Sequence, residues 1–350
     1  MIAMRIGVVT TSYPRFAGDW AGNFVGEHVA ALRAAGHEVD VIGAHRITSS
    51  LFYKGGAPDE LAHPRAWPAA AAFTARLAAY VAARGRRWDL IVAHWLAPSA
   101  LAALAGPRVP LLAIAHGGDI HTLRRARLLR PVLHALRVRR ARIAFVSAEL
   151  LDIARAHGWT GDAIVQPMGV PLARFAGIAR APADPPRVAV VARLVPLKGV
   201  DVAIRALAHV RAPIELAIAG DGPARGELER LAAGRATFLG AVDESARDRL
   251  LGQASAVLVP SRVVAGGRSE GLPLVALEAL AAGVPVVASA VGGLPSLAPA
   301  AALVPPDDPR ALAAAIDRVI AAPPPARTLR AAVSALGWAD VSARLLAHVA

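Results

Sequence analysis

The sequence predicts an α/β protein built from two tandem Rossmann-like domains that face a cleft. Three observations lead there. Short apolar runs alternate with helix-spaced segments along almost the whole chain, which is the signature of parallel strands covered by helices on both faces. The alternation lapses once, in the FAGIARAPADPP stretch at 175–186, and then restarts. The 350 residues also suit two domains of about 150 residues each.

Taken in order, residues 4–9 form a first apolar strand. Phe24, Val25, His28, Val29 and Leu32 then recur at helical spacing up to Gly36, and 39–42 is a second strand. Residues 90–93, 111–115 and 143–146 supply three more, with helices between them. The stretch 175–186 is expected to be the linker. Beyond it, strands are predicted at 188–191, 215–219, 237–239, 256–259 and 286–288, and helices at about 200–210, 224–233 and 273–282. The domains are accordingly placed at 1–178 and 179–337. Residues 338–350 form a closing helix, with Trp338, Val341, Leu345 and Leu346 at helical spacing, that joins the first domain.

Composition narrows the class. The chain is 55% hydrophobic and has no cysteine, so disulfides and thiolate–metal sites are excluded. Residues 90–115 are apolar enough to resemble a membrane span, but His94, Pro98, Pro107, Arg108 and Pro110 would be costly in hydrocarbon. Arg5 interrupts the short apolar start, so no secretory signal is expected. The expectation is a soluble, cytoplasmic protein. Its net charge of +13 favours anionic partners.

The stretch 269–289, SEGLPLVALEALAAGVPVVAS, organises the second half. Pro273 suits a first helical turn, where a missing N–H costs nothing. Leu274, Leu277, Leu280 and Ala281 give the helix one apolar face, Gly283 closes it and Pro285 forbids its continuation. The N–H groups of Gly271, Leu272 and Leu274 are then free at a helix start, a place suited to phosphate. Glu270 before the helix and Glu278 inside it offer carboxylates for sugar hydroxyls. Taken alone, such a pair is more often a pair of solvated helix carboxylates.

In parallel sheets ligands bind beyond the carboxyl ends of the strands. His116 follows the strand at 111–115, in HGGD; Arg193 and Lys198 follow 188–191; Gly220–Gly222 follow 215–219; Ser261 follows 256–259. Singly, His116 reads as an ordinary loop histidine and the two cations as surface charge. GDGPARG has the spacing G-x-G-x-x-x-G, which departs from a dinucleotide loop. A Walker loop and a D-x-D pair are both missing.

ARLVPLKG (192–199), GDGP (220–223), VPSR (259–262) and EGLPLVALEALAAGVPVVAS (270–289), with GHEVDVI (36–42) and HGGD (116–119) before them, resemble the family 4 retaining glycosyltransferases of GT-B fold. The resemblance covers nearly the whole chain. It implies transfer of a hexosyl group from a nucleoside-diphosphate sugar, held on the C-terminal domain, to a hydroxyl acceptor held on the N-terminal one. The acceptor would be a glycan, a lipid-linked sugar or a small molecule, as in polysaccharide biosynthesis. It further implies that Arg193 and Lys198 neutralise the leaving diphosphate, that Glu270 binds the donor sugar and that Glu278 binds the ribose. Gly271, Leu272, Pro273 and Leu274 would line the donor site, His116 would lie near the reacting sugar, and Gly22 would let an N-terminal loop approach the donor. Neither a cofactor nor a metal is implied, since cations do the metal's work. Two departures stand out: VPSRVVAGGRSEG carries extra residues, including Gly266 and Gly267, and Ser296 stands where relatives often have glutamate.

Two rival classes remain, a nucleotide-sugar epimerase on the same fold and a non-catalytic basic binding protein. Nucleic acid is not an expected partner. The stretch 124–142 holds eight arginines (124, 125, 127, 130, 137, 139, 140 and 142) among apolar residues. It reads as a basic amphipathic helix suited either to solvent or to peripheral contact with an anionic membrane at its inner face.

Overall fold

The computed structural model describes residues 3–16, 22–43, 47, 52, 60, 61 and 63–349. It divides into two compact units, Met1–Gly169 with Trp338–Ala350, and Val170–Gly337.

The first unit carries a six-stranded parallel sheet ordered β2-β1-β3-β4-β5-β6. Its strands are β1 (Arg5–Thr10), β2 (Glu38–Gly43), β3 (Leu90–His94), β4 (Leu111–Ala115), β5 (Arg142–Phe145) and β6 (Ala163–Val165). Every residue of β3 and β4 is buried, as continuous apolar runs in a sheet covered on both faces must be. Its helices are α1 (Asn23–Ala34), α2 (Trp67–Arg84), α3 (Gly118–Arg125), α4 (Leu129–Val138) and α5 (Ala148–Ala156). Ser147 caps α5 by accepting from the Leu150 N–H at 3.4 Å.

The second unit repeats the plan in the order β12-β11-β10-β7-β8-β9, again parallel. Its strands are β7 (Arg187–Val191), β8 (Glu215–Ala219), β9 (Ala236–Gly240), β10 (Ala254–Val259), β11 (Val286–Ser289) and β12 (Ala301–Val304). Its helices are α6 (Leu172–Ala176), α7 (Val200–Ala206), α8 (Arg225–Ala232), α9 (Glu244–Gln253), α10 (Leu274–Ala282), α11 (Pro309–Ala321) and α12 (Ala326–Ala332). One face of the sheet buries Phe175, Leu250, Leu277, Leu280 and Leu329 from α6, α9, α10 and α12; the other buries Val202, Leu228, Leu312 and Ile316 from α7, α8 and α11. The last helix, α13 (Trp338–Ala347), belongs to the first unit, where Trp338 stacks on His28 with centroids 5.2 Å apart.

Several expectations need correction. The chain enters the second unit at Val170, not 179, because Phe175 on α6 is fully buried in that unit's core. The rest of the expected linker is tied down as well: Ala181 N donates to Gly252 O at 3.0 Å, and the Arg180 guanidinium to Ala254 O at 2.7 Å. The helix expected over 200–210 stops at Ala206. The central helix has no single apolar face. Ala276, Leu277, Ala279, Leu280, Ala281 and Ala282 are all buried, and α10 packs on both α6 and α12. Truncating Leu277 or Leu280 to alanine is expected to cost about 2–5 kcal/mol. Pro273 (φ −62°, ψ 120°) caps α10 instead of opening its first turn, whereas Gly283 ends it in the left-handed region (φ 74°).

The arginine-rich stretch is two helices, α3 and α4, broken at Ala126–Leu128. Leu129, Val132, Leu133 and Leu136 face the core, while Leu128 and Val138 are exposed. Arg139 is spent on structure, donating to Val109 O at 2.8 Å, and Arg142 lies 3.7 Å from Asp162. Among the described residues no helix is long and apolar enough to cross a membrane.

Candidate active site

The strand order places a switch point in each sheet, where the chain leaves one direction of winding for the other: between β1 and β3, and between β7 and β10. Loops diverge there and leave a crevice beyond the strand ends. The predicted site residues divide accordingly. Gly22 and His116 lie in the first unit; Arg193, Lys198, Glu270, Gly271, Leu272, Pro273, Leu274 and Glu278 lie in the second.

In the second unit, the loop after β7 is sewn to its neighbours on both sides. Ala192 N donates to Ala219 O at 3.0 Å and Leu194 N to Asp221 O at 2.9 Å, which joins it to GDGP. Arg262 N donates to Leu197 O at 3.0 Å, which joins it to VPSR. Gly199 sits at φ 60° with room for nothing larger, since a β-carbon there would lie 1.9 Å from Pro260 O. This locks the turn Pro196–Lys198 and sends the Lys198 side chain to Glu270, with Nζ 2.6 Å from Oε1. Both groups are largely buried, at 24% and 12% exposed, so this is no solvated surface pair. Arg193 is half-buried two residues past the end of β7.

Glu270 is in turn held by the turn after β11. Gly293 N donates to Gly271 O at 2.6 Å, and Gly292 packs against the Glu270 carbonyl. The N–H groups of Gly271, Leu272 and Leu274 meet no protein acceptor among the described residues, so the start of α10 is open to an anion. Glu278 Oε1 accepts from Arg247 Nη1 at 3.1 Å, and that guanidinium lies 5.3 Å from the Phe175 ring centroid. Arg262 of VPSR is taken up by Asp201 (2.8 Å) and Asp307 (2.7 Å), so it braces the loops. The extra residues after Ser261 form a small hairpin in which Val264 pairs with Arg268 around Gly266 (φ 77°) and Gly267 (φ 67°). Ser296 turns its hydroxyl back to Gly293 O at 2.6 Å.

In the first unit, Gly22 caps α1 at φ 70°, and a β-carbon on it would lie 2.4 Å from Ser12 O. Its lack of a side chain thus serves a close approach within its own unit. His116 is half-buried, and its Nε2 is 3.1 Å from His94 Nδ1; His94 Nε2 is in turn 3.1 Å from His28 Nδ1. Trp95 and Phe24 wall His116, at 4.8 and 5.1 Å between ring centroids. Burial pushes His28 down to about 4 and, with repulsion from His28, His116 down to about 3; it holds His94 well below the usual histidine range, with His116 and His28 adding to the effect. All three rings are therefore neutral at pH 7. Asp119 accepts from the N–H groups of Leu96 (2.7 Å), Gly117 (3.0 Å) and His116 (3.2 Å), and burial raises its pKa against these bonds.

Sequence reasoning missed His94, His28 and Arg247. His94 ends a buried strand just as His116 follows one, and that position was its signal; His28 reads only as one more residue of a helical stripe. Among the described residues no group of three or more His, Asp or Glu side chains is arranged to hold a metal ion.

Family profiles described as Glycosyltransferase Family 4 and Glycosyl transferases group 1 match residues 21–174 and 185–322. The chain belongs to glycosyltransferase family 4. One relative, a GDP-mannose-dependent monoacylated alpha-(1-6)-phosphatidylinositol monomannoside mannosyltransferase of Corynebacterium glutamicum, is 39% identical over 34% of this chain and 33% of its own length. Another, a putative teichuronic acid biosynthesis glycosyltransferase TuaC of Bacillus subtilis, is 31% identical over 66% of this chain and 61% of its own. The match thus spans about a third of the first relative and less than two thirds of the second. Among solved structures, sucrose-phosphate synthase from Thermosynechococcus elongatus superposes with a TM-score of 0.74 at 23% identity, covering 98% of this chain and 97% of that one. Anabaena HepE in complex with UDP-glucose gives 0.72 at 19% identity, covering 98% of each chain. At these identities the likeness is one of fold, the two-domain α/β architecture of GT-B glycosyltransferases.

Proposed function

We propose that this family 4 protein transfers a hexosyl group from a nucleoside-diphosphate sugar to a hydroxyl acceptor, with retention of anomeric configuration and without a metal ion. The observation that carries the reading is the buried Lys198–Glu270 contact beside the open N–H groups of Gly271, Leu272 and Leu274. A pre-aimed ammonium, with Arg193 on the same loop, suits a diphosphate that gains negative charge as its bond to the sugar breaks. The helix start suits the phosphate itself. Within the second unit, Glu270 then takes donor-sugar hydroxyls and Glu278 takes the ribose diol; within the first, neutral His116 offers Nδ1 to a sugar hydroxyl.

Thermal unfolding in UDP-, GDP- and ADP-sugars tests the reading. GDP-mannose heads the panel because it stands in the name of the Corynebacterium relative. A ligand at 100 times its Kd adds about 2.7 kcal/mol of stability. Stabilisation by one donor, followed by transfer of its sugar to an added acceptor, is expected. No stabilisation by any donor, or isomerised sugar released without acceptor, would overturn it.

The acceptor side of the proposal is a lipid-linked sugar at the inner face of a membrane. Support comes from the exposed Arg127, Arg130, Arg137 and Arg140, with Leu128 and Val138 exposed beside them at 49% and 69%. Each arginine near an anionic surface contributes about 1 kcal/mol. Co-sedimentation with liposomes should rise with anionic-lipid content and fall with salt. Binding unchanged when these four arginines become glutamine would leave a soluble acceptor.

A further inference from the structure

We propose that His94 and His28 are positioning residues for His116, linked to it in a single-file relay that sets which nitrogen of His116 carries its proton. The proposal rests on the reading above, in that His116 Nδ1 is the atom offered to a sugar. Its geometry stands without that reading.

Each contact in the relay joins an Nε2 to an Nδ1: His116 Nε2 to His94 Nδ1, and His94 Nε2 to His28 Nδ1, both at 3.1 Å. A neutral imidazole has one N–H and one bare nitrogen. Two neutral rings can share such a contact only if one donates and the other accepts. The consequence is strict. Either all three rings carry the proton on Nε2, leaving His116 Nδ1 as an acceptor, or all three carry it on Nδ1, making His116 Nδ1 a donor. A mixed set would press two N–H groups, or two lone pairs, together at 3.1 Å. The state of the nitrogen that meets the ligand is therefore tied to a ring two partners away, on α1.

The surroundings hold the relay in register. Trp338 stacks on His28 at an interplanar angle of 14°, and its Nε1 donates to Glu27 at 2.8 Å. His94 lies nearly parallel to His116, at 15°. Next to His94, Trp95 is held at φ 72°, ψ 136°, a conformation that a bulky residue adopts only when its neighbours impose it. They do so here: Trp95 N donates to Ile114 O at 2.8 Å, and Asp119 takes the following N–H, that of Leu96, at 2.7 Å. Of the carboxylates nearby, Asp119 accepts from the backbone N–H groups of Leu96, His116 and Gly117, and Glu27 accepts from the Trp338 indole. The strain is thus located where the strand end must aim an imidazole.

The first test needs no substrate. Nitrogen-15 spectra of histidine-labelled protein at pH 7 distinguish Nδ1–H from Nε2–H rings. The expected result is one shared tautomer for His28, His94 and His116 in the wild type, and a mixture at His116 in His94→Phe. A mixed set in the wild type, or His116 shifts untouched by His94→Phe, would overturn the relay. The second test is kinetic, with the nucleotide sugar that the wild type uses. His94→Phe should lower kcat by about 10- to 100-fold, the scale of a misplaced reacting group, with the donor KM nearly unchanged. His28→Phe should lose less, and His28→Asn should regain most of that loss, since its amide can stand in for Nδ1. Equal kcat in His28→Asn and His28→Phe would overturn the relay. Failure of the wild type to turn over any nucleotide sugar would sink the proposed reaction, while one shared tautomer in the spectra would still support the relay.

Discussion

The two units use one plan for opposite chemistry. Each places its polar residues at a switch point beyond the ends of parallel strands. In the first unit these residues are three imidazoles, neutral at pH 7: His28 and His94 are buried, and His116 is half-buried between Phe24 and Trp95. In the second they are opposite charges in contact: Lys198 with Glu270, Arg247 with Glu278, and Arg262 with Asp201 and Asp307. The scaffold does not choose the chemistry; the residues at the strand ends do. Uncharged donors and acceptors suit a sugar hydroxyl, whereas fixed cations suit a departing diphosphate.

The largest expected effect exposes that contrast through acid. A histidine whose pKa is lowered by folding contributes no pH dependence above about 6.5, where both states are neutral. Below it the unfolded chain takes up a proton that the folded chain refuses, so stability drains away as pH falls toward the folded value. For His28, lowered from 6.5 to about 4, that drain reaches roughly 3 kcal/mol, and His94 and His116 act in the same direction. Hydrogen exchange from pH 7 to 5 should show the first unit opening more readily while the second, whose one histidine is the exposed His209, holds. Equal loss in both units would break the contrast.

Next comes Lys198→Ala, expected to lower turnover about 100-fold or more, as removal of one pre-aimed charge-stabilising donor does. Near-normal rates would reduce the Lys198–Glu270 contact to a structural brace. Arg193→Lys should cost less, about tenfold, because an ammonium cannot reproduce a forked contact; initial rates at saturating donor decide it. The smallest effect belongs to EDTA. Chelation is expected to leave the rate unchanged, and full loss restored by magnesium or manganese would show that these cations do not stand in for a metal.

Much of this architecture is legible in the sequence because buried parallel strands are unbroken apolar runs, as in LIVAH and LLAIA. The strands that escape it are the short edge strands β6 and β12. AIV is partly exposed, and AALV is indistinguishable by pattern from an alanine-rich helix. Position after a strand drew attention to His116, Arg193 and Lys198, and position before a helix drew it to Glu270, but only the family resemblance of the motifs around them gave these residues roles. Their partners were not readable, because the contacts join residues far apart in the chain: Lys198 with Glu270, Arg247 with Glu278, and His28 with His94 across 66 positions. The expected linker misled for a related reason. Pro and Ala without periodicity look unstructured, yet Phe175 and Arg180 anchor that stretch to the second unit's core and to the carbonyls around Gly252.

The 2.6 Å contact between Lys198 and Glu270 also bears on inhibition by product. A free nucleoside diphosphate that draws the ammonium to its phosphates leaves the Glu270 carboxylate, 12% exposed, with its counter-ion gone and no hydroxyl in exchange. An intact nucleotide sugar brings both a diphosphate for the lysine and hydroxyls for the glutamate. In the proposed reaction the pair would therefore weigh against the spent donor and toward the loaded one, and it would re-form as the nucleotide leaves.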